Sequence, residues 1–142
     1  MKYKLETKQY EIKVADNNST SIQSPNTVFE IVKEDFSPVN ESMHLLILNV
    51  KNKVIDKVLI AKGAYNSLMV TPTDIMRPIL MSSGNHFILT HNHPSCDCKP
   101  SEEDVIFTNK IKQASKLLGL SFLDHVIYSD KEYQSMKQLG IL

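Results

Sequence analysis

The sequence predicts one α/β domain built on a mixed β-sheet, and three observations lead to this prediction. Two apolar runs, at residues 45–50 and 54–61, are separated by a short polar turn, which is typical of a hairpin. Two later apolar runs of strand length are separated by a long helical pattern, which is typical of helix-linked strands. The chain has 142 residues, 42% hydrophobic and 23% charged, which is ordinary for one globular domain.

Helix starts, helix ends and apolar runs give each element in turn. Ser24 before Pro25 is a helix start, and Gly84 and Gly119 are expected to end later helices. In chain order we expect an edge strand near Tyr10–Val14, a helix from Ser24 to about Phe36, strands at 45–50 and 54–61, and a helix from Thr71 or Thr73 to Ser83. These are followed by a strand at 87–90, a helix from Ser101 to Gly119, a strand at 122–128 and a short strand at 133–136. The apolar face of the helix from Ser101 to Gly119 is expected to consist of Val105, Ile106, Ile111, Ala114, Leu117 and Leu118. Residues 1–23 are expected to be an N-terminal strand and polar loop, and residues 24–142 the main domain.

The segment 91–104 contains the candidate metal-binding residues. It places His91, His93, Ser101 and Asp104 at the spacing H-x-H-x7-S-x2-D. Residues two apart on a strand point the same way, so the two imidazoles can converge on one ion. Two imidazoles and a carboxylate suit zinc and leave a fourth position open, as in catalytic sites. Ser101 and Asp104 also have a purely structural interpretation, as a capping box at a helix start.

This pattern resembles the JAMM motif of the JAB1/MPN metallopeptidases, and its surroundings resemble the RadC-like branch of that family. The matching stretches are VTPTDI at 70–75, FILTHNHPS at 87–95, PS-x-x-D at 100–104, LLGL at 117–120 and DHVI at 124–127. The resemblance covers roughly residues 24–136. It implies a three-layer α-β-α sandwich similar to that of cytidine deaminases, with Zn²⁺ bound by His91, His93 and Asp104.

The resemblance also implies a glutamate upstream that takes a proton from the metal-activated water. Glu41, just before the apolar run that begins at Met43, stands at the matching position, whereas Glu30 and Glu34 lie on a predicted helix. The hydroxyl of Ser101 would hydrogen-bond the developing oxyanion.

Two cysteines depart from the family pattern, which usually has H-N-H-P-S-G-D-P. Cys96 replaces the glycine, and this is expected to change the loop because only glycine adopts positive φ freely. A thiolate could compete with water for zinc, and His91, His93, Cys96 and Cys98 form an alternative closed set that leaves Asp104 unused. A disulfide between residues two apart is not expected. Asp97 is expected to shape the loop.

His125 lies in the DHVI stretch, and we expect it to be a core histidine or to lie behind a metal ligand. His44 and His86 belong to no motif and are expected to be structural.

Charge and hydropathy limit the classes of partner. Sixteen basic and sixteen acidic residues give a formal net charge of zero, which argues against a stand-alone nucleic-acid binder. The N-terminus has no apolar signal-peptide region, and no apolar run approaches the ~18 residues of a membrane span. We therefore expect a cytoplasmic protein whose partner is a peptide or protein substrate.

The expected function is zinc-dependent hydrolysis of an amide or isopeptide bond. One alternative is a role in DNA repair, since RadC-like proteins carry that label, although the four glycines are not arranged as in helix-hairpin-helix segments. Another alternative is a metal-bearing binding module without turnover.

Overall fold

The computed structural model of the chain describes residues 14–16, 18–64 and 69–142. In chain order it contains α1 (Pro25–Val32), a 3₁₀ turn (Lys33–Asp35), β1 (Asn40–Leu48), β2 (Val54–Ala64), α2 (Pro72–Leu80), β3 (His86–Asn92), α3 (Glu102–Leu118), β4 (Ser121–Tyr128) and β5 (Tyr133–Ser135). The predicted edge strand near Tyr10–Val14 lies almost entirely outside the described residues. Every other predicted helix and strand has a counterpart.

The strands of the described residues form one mixed sheet in the order β2-β1-β3-β4-β5. β1 pairs antiparallel with both β2 and β3, and β5 pairs antiparallel with β4. β3 and β4 are parallel, and α3 connects them, as a parallel pair requires. The predicted mixed sheet is therefore confirmed, and β3, which carries His91 and leads directly into His93, lies at its centre.

Helices cover both faces of this sheet. α1 contributes Val28 to a core on one face, together with Ile22, Leu46, Leu48, Ile88 and Val126. On the other face, α2 and α3 contribute to a core made of Met43, Leu45, Ile47, Ile75, Met76, Ile79, Phe87, Leu89 and Ile111. The predicted three-layer α-β-α sandwich is confirmed. Among the described helices, none combines the length and apolar character that a membrane crossing requires.

Several predicted boundaries are wrong. α1 ends at Val32 rather than near Phe36, because the chain tightens into the 3₁₀ turn. β1 begins at Asn40, five residues before its apolar run, and its early part buries polar side chains. α2 ends at Leu80, so Gly84 does not cap it. A Cβ at Gly84 would collide with the Ile47 side chain, so this glycine permits a close approach to β1.

The predicted apolar face of α3 is only partly correct. Ile111 is buried, but Ile106 and Leu117 are 51% and 87% exposed. The buried residues of α3 are Thr108, Ile111 and Ser115, which are spaced three and four apart on one side of the helix. This orientation turns the first residues of α3 toward β3. Gly119 ends α3 at φ +72, as predicted.

Candidate metal centre

The two motif histidines, His91 in β3 and His93 directly after its end, converge as their spacing predicts. His91 is 1% exposed, and its Nε2 lies 3.0 Å from Nε2 of His93. Both side chains leave the same side of the strand because they are two residues apart. Asn92, between them, points to the opposite face. Two ring nitrogens so close together require a shared proton or a shared cation between them.

Asp104 brings a carboxylate to the same point from the start of α3. Its Oδ1 lies 3.2 Å from His91 Nε2, and its Oδ2 lies 3.1 Å from His93 Nε2. Oδ2 also accepts a hydrogen bond from the Ser101 backbone N–H at 2.9 Å. The Ser101 hydroxyl accepts from the Asp104 N–H at 3.0 Å, which completes a capping box. Capping and contact with the histidines therefore coexist in one carboxylate.

Glu41 approaches from β1, the strand beside β3. Its Oε1 lies 3.7 Å from His91 Nε2, and its side chain is 13% exposed. The register places Met43 opposite His91, so Glu41 extends past the end of the paired region toward the two imidazoles. In the described part of the chain, Glu41, His91 and His93 form a group that could hold a metal ion.

The distances fit a single tetrahedral ion. Zinc bonds of about 2.0–2.1 Å at tetrahedral angles place neighbouring ligand atoms about 3.3 Å apart. The two imidazole Nε2 atoms are 3.0 Å apart, and each lies 3.1–3.2 Å from a different oxygen of Asp104, Oδ1 for His91 and Oδ2 for His93. Asp104 lies closer to His91 than Glu41 does, so two ligand sets share the histidines, and the one with Asp104 is the tighter.

The electrostatics of the centre favour an ionised Asp104. Burial acts to raise the pKa of this carboxyl group, but hydrogen bonds from His91 and His93 outweigh burial and hold the pKa well below its ordinary value. Burial likewise acts to lower the pKa of His93, and the hydrogen bond to Asp104 reverses this, so the His93 pKa is raised. A carboxylate kept in its ionised form is the form that binds a cation.

The comparison with known proteins decides the family. The RadC-like JAB domain family matches residues 22–141 of the 142-residue chain. The chain belongs to the RadC-like JAB domain family. The resemblance inferred from the 91–104 motif is thereby confirmed.

The curated relatives of this RadC-like JAB domain are longer than the chain. A UPF0758 protein of Aquifex aeolicus is 38% identical over 122 residues, which cover 86% of the chain and 53% of the relative. One of Clostridium perfringens is 37% identical over 131 residues, covering 92% and 58%. One of Methanococcoides burtonii is 38% identical over 128 residues, covering 89% and 56%. The chain thus spans between half and three-fifths of the relatives it matches.

Asn92 is a residue of the RadC-like JAB site that sequence reasoning missed. Its Oδ1 accepts the Ser42 backbone N–H at 2.8 Å, and its Nδ2 donates to the carbonyl oxygens of Ser37 and Asn40 at 3.0 and 2.9 Å. Because Asn40 and Ser42 flank Glu41, the Asn92 amide holds the backbone from which Glu41 projects. The sequence did contain a signal for this role. Asn92 is a polar residue between two histidines on a buried strand, so its side chain must lie on the face of the sheet opposite the histidines and find hydrogen-bond partners there.

The loop after His93 keeps a left-handed residue where the RadC-like pattern has glycine. Cys96 adopts φ +66, a conformation that costs a residue with a side chain about 1–2 kcal/mol. Asp97 shapes this loop as expected, since its carbonyl oxygen accepts from His93 Nδ1 at 2.7 Å and its side chain accepts from the Lys99 N–H.

Neither thiol joins the group of described side chains that could hold a metal. The Cys96 sulfur is exposed and lies 3.8 Å from a carboxylate oxygen of Asp130. The Cys98 sulfur is buried beside Ile127 and Met136 and lies 3.5 Å from the carbonyl oxygen of Glu132. Both sulfurs therefore contact atoms other than the imidazole nitrogens.

A cleft of about 130 Å³ opens onto the centre of this RadC-like JAB domain. Its walls are Glu41, Met43, Val70, His91, Glu103, Asp104 and Phe107. Three of these residues are apolar and three are acidic. A larger cavity of about 460 Å³ lies beside α1 and shares no lining residue with this cleft.

Proposed function

We propose that the chain is a zinc-dependent hydrolase of peptidase or isopeptidase type that cleaves an amide bond. The observation that carries the proposal is the convergence of His91, His93 and Asp104 within 3.0–3.2 Å of one another, with Glu41 beside them at the end of a cleft. Membership of the RadC-like JAB domain family supports the same reading.

His91, His93 and Asp104 are the residues that would hold a zinc ion. His91 is 1% exposed, and both His91 and Asp104 line the cleft. Imidazole nitrogen and carboxylate oxygen are ligands that zinc accepts, and three protein ligands leave one position free. When bound, zinc lowers the pKa of a coordinated water toward about 7 and polarises a scissile carbonyl group.

Glu41 is assigned the proton transfer. Its carboxylate lies 3.7 Å from His91 Nε2, farther than either contact of Asp104, so it stands beside the three ligands within reach of a water molecule. Its place on the cleft wall also lets it return the proton to the leaving amine. A single carboxylate that first accepts and then donates the proton suffices for hydrolysis of an amide.

Ser101 is assigned to the oxyanion. Its oxygen already accepts the Asp104 N–H at 3.0 Å, so its hydroxyl hydrogen remains to be donated. Ser101 is exposed, and the helix start that it caps lies next to the centre. A donor aimed at the charge that develops on the carbonyl oxygen is worth about 10²–10³ in rate in other hydrolases.

The cleft favours a substrate with an apolar group next to the scissile bond. Met43, Val70 and Phe107 form an apolar wall, whereas Glu103 at the acidic side would attract a basic group. The partner that fits this chemistry is an extended peptide or the tail of a protein.

The experiment that tests the function combines metal analysis with a peptidase assay on the same preparation. We expect one zinc ion per chain by elemental analysis, and loss of most of that zinc in His91→Ala and Asp104→Ala. His86→Ala is the matched control, because His86 lies on the same strand but bonds to Asn52 instead of the centre. Full zinc content in both site variants would refute the centre.

The assay separates the proposal from its alternatives. Peptides from a library with apolar residues next to the scissile bond should be cleaved. A chelator should abolish this cleavage, and added zinc should restore it. A zinc-loaded protein that cleaves no peptide, yet shifts DNA in a gel, would replace the hydrolase assignment. Zinc binding with neither property would identify a metal-bearing binding module.

A further inference from the structure

A buried hydrogen-bond chain runs behind His91, on the side away from the cleft. His91 Nδ1 lies 2.7 Å from Nε2 of His125, and His125 Nδ1 lies 2.7 Å from Oγ1 of Thr108. The Thr108 hydroxyl donates to the sulfur of Met136 at 3.4 Å. His91 is 1% exposed, and the other three residues are 0% exposed. The four residues come from β3, β4, α3 and the turn after β5.

The contact with Met136 indicates a direction for the other bonds in this chain. A thioether sulfur has no proton to donate, so Met136 can only accept, and in this contact the Thr108 hydroxyl donates its one hydrogen. Oγ1 of Thr108 must then accept from His125, which places the His125 proton on Nδ1.

The same logic continues to the metal centre. A neutral His125 with its proton on Nδ1 presents a lone pair at Nε2, and a neutral form is expected where no surface is exposed. His91 must therefore donate from Nδ1, which leaves Nε2 as the nitrogen that faces the metal centre. This Nε2 is the atom that lies 3.0 Å from His93 Nε2 and 3.2 Å from Asp104 Oδ1.

We propose that the buried hydrogen-bond chain of His125, Thr108 and Met136 positions His91 and keeps its Nδ1 protonated, so that Nε2 is the nitrogen left to bind a metal ion. This inference rests on the proposed zinc site. His125 and Thr108 touch neither the cleft nor the ion, so they are positioning residues. His93 needs no such chain, because its Nδ1 donates directly to the carbonyl oxygen of Asp97.

The first test measures the Zn²⁺ dissociation constant by competition with a chromophoric chelator. Thr108→Val removes the hydroxyl at nearly constant volume, and we expect Zn²⁺ to bind about 10-fold more weakly. Thr108→Ser keeps the hydroxyl and should retain most of the affinity. Thr90→Val is the matched control: Thr90 is also 0% exposed, but its hydroxyl has no hydrogen-bond partner among the described residues. The control should bind Zn²⁺ as the unsubstituted protein does.

A second pair of variants addresses His125 itself. His125→Leu fills the space without an acceptor, and we expect a loss of about 10- to 100-fold in Zn²⁺ affinity. His125→Gln can accept from His91 through its amide oxygen and should recover part of that loss. Circular dichroism and thermal unfolding of the metal-free variants identify those that fold, and a purely structural role would lower their stability while leaving Zn²⁺ affinity unchanged.

A tautomer measurement tests the inference even without metal binding. Long-range ¹H–¹⁵N spectra of the metal-free protein should show His125 protonated on Nδ1 and not on Nε2. A His125 proton on Nε2, or equal Zn²⁺ affinity in Thr108→Val and the unsubstituted protein, would overturn the inference while leaving the zinc site intact. Failure of the unsubstituted protein to bind Zn²⁺ would instead refute the proposed function, and the spectrum would still decide the direction of the chain.

Discussion

At the scale of single residues, Asp104 joins a helix start to the metal centre. Its Oδ2 accepts from the Ser101 N–H and lies 3.1 Å from His93, while its Oδ1 faces His91. A negative charge in the first turn of a helix is itself favourable. Substituting Asp104 would therefore remove a cap and a proposed ligand together, so a loss of zinc in Asp104→Ala needs a check that α3 still begins at the same residue.

Glu41 offers a cleaner separation of roles. We expect Glu41→Gln to retain zinc and to lose turnover by about 10²-fold or more, because the amide keeps the size of the side chain but cannot take a proton at neutral pH. Zinc content and initial rates on a cleaved peptide measure the two effects. Glu34→Gln, at an exposed position on the 3₁₀ turn, is the control and should change neither. Loss of zinc in Glu41→Gln would make Glu41 a ligand in place of a base.

Cys96 carries backbone strain that a glycine would relieve. With φ at +66, Cys96→Gly should raise the free energy of unfolding by about 0.5–1 kcal/mol, after allowing for the greater freedom of glycine in the unfolded chain. Urea denaturation measures the change. Ser95→Gly, at an exposed neighbour outside the left-handed region, should lower stability. Equal losses in both variants would mean that the loop stores no strain at Cys96.

At the scale of elements, the pairing of β1 with β3 builds the centre, and Asn92 fixes where that pairing ends. His91 of β3 and His93 directly after it lie on the α2–α3 face, whereas Asn92 points to the other face and bonds to residues on either side of Glu41. One strand therefore serves both layers through the alternation of its side chains.

Asn92→Ala tests this link. The substitution would leave the Ser42 N–H and the carbonyl oxygens of Ser37 and Asn40 without their present partner, which should cost about 2–4 kcal/mol of unfolding free energy. Turnover should fall further than zinc content, because the backbone that presents Glu41 is released. Thr90→Val, on the same face of β3, should be close to neutral. A variant with unchanged stability would show that Asn92 merely fills space.

Local signals in the sequence predict most of the elements, and long-range contacts explain the rest. The caps at Ser101 and Gly119 and the run of β3 were correct because each depends on neighbouring residues. The early start of β1 escaped prediction because Ser42 and His44 are polar yet buried, which the local sequence does not reveal. In the same way, Thr108 gave no sequence signal, since its role depends on partners 17 and 28 residues away.

At the scale of the whole molecule, burial of histidine links stability to pH. Burial lowers the pKa of His44, which Asp35 acts to raise and Lys57 and Lys62 act to lower. Burial also holds the pKa of His125 well below its ordinary value. Below about pH 6.5 these two histidines therefore bind protons in the unfolded chain but not in the folded protein. Their contribution to the free energy of unfolding therefore falls as pH falls.

A comparison of two proteins isolates the contribution of His44. We expect His44→Gln to gain stability relative to the unsubstituted protein as the pH drops from 7 to 5, by up to about 1.4 kcal/mol per pH unit. Urea denaturation of both metal-free proteins at each pH gives the difference in their free energies of unfolding. His93 has the opposite effect, because its raised pKa favours the folded state in acid, but this effect is the same in both proteins and cancels in the difference. A difference that stays constant with pH would mean that folded His44 titrates normally.

The centre is divided unevenly along the chain. His91, His93, Asp104 and the buried hydrogen-bond chain all lie between β3 and the turn after β5, whereas Glu41 and the Met43 wall of the cleft come from β1. The proposed metal ligands thus come from the C-terminal part of the domain, and the proposed proton carrier and part of the cleft wall come from the N-terminal part. A chimera that takes residues 37–64 from a relative would consequently exchange Glu41 and the Met43 part of the cleft wall. It would keep His91, His93 and Asp104, the proposed metal ligands, from the original protein.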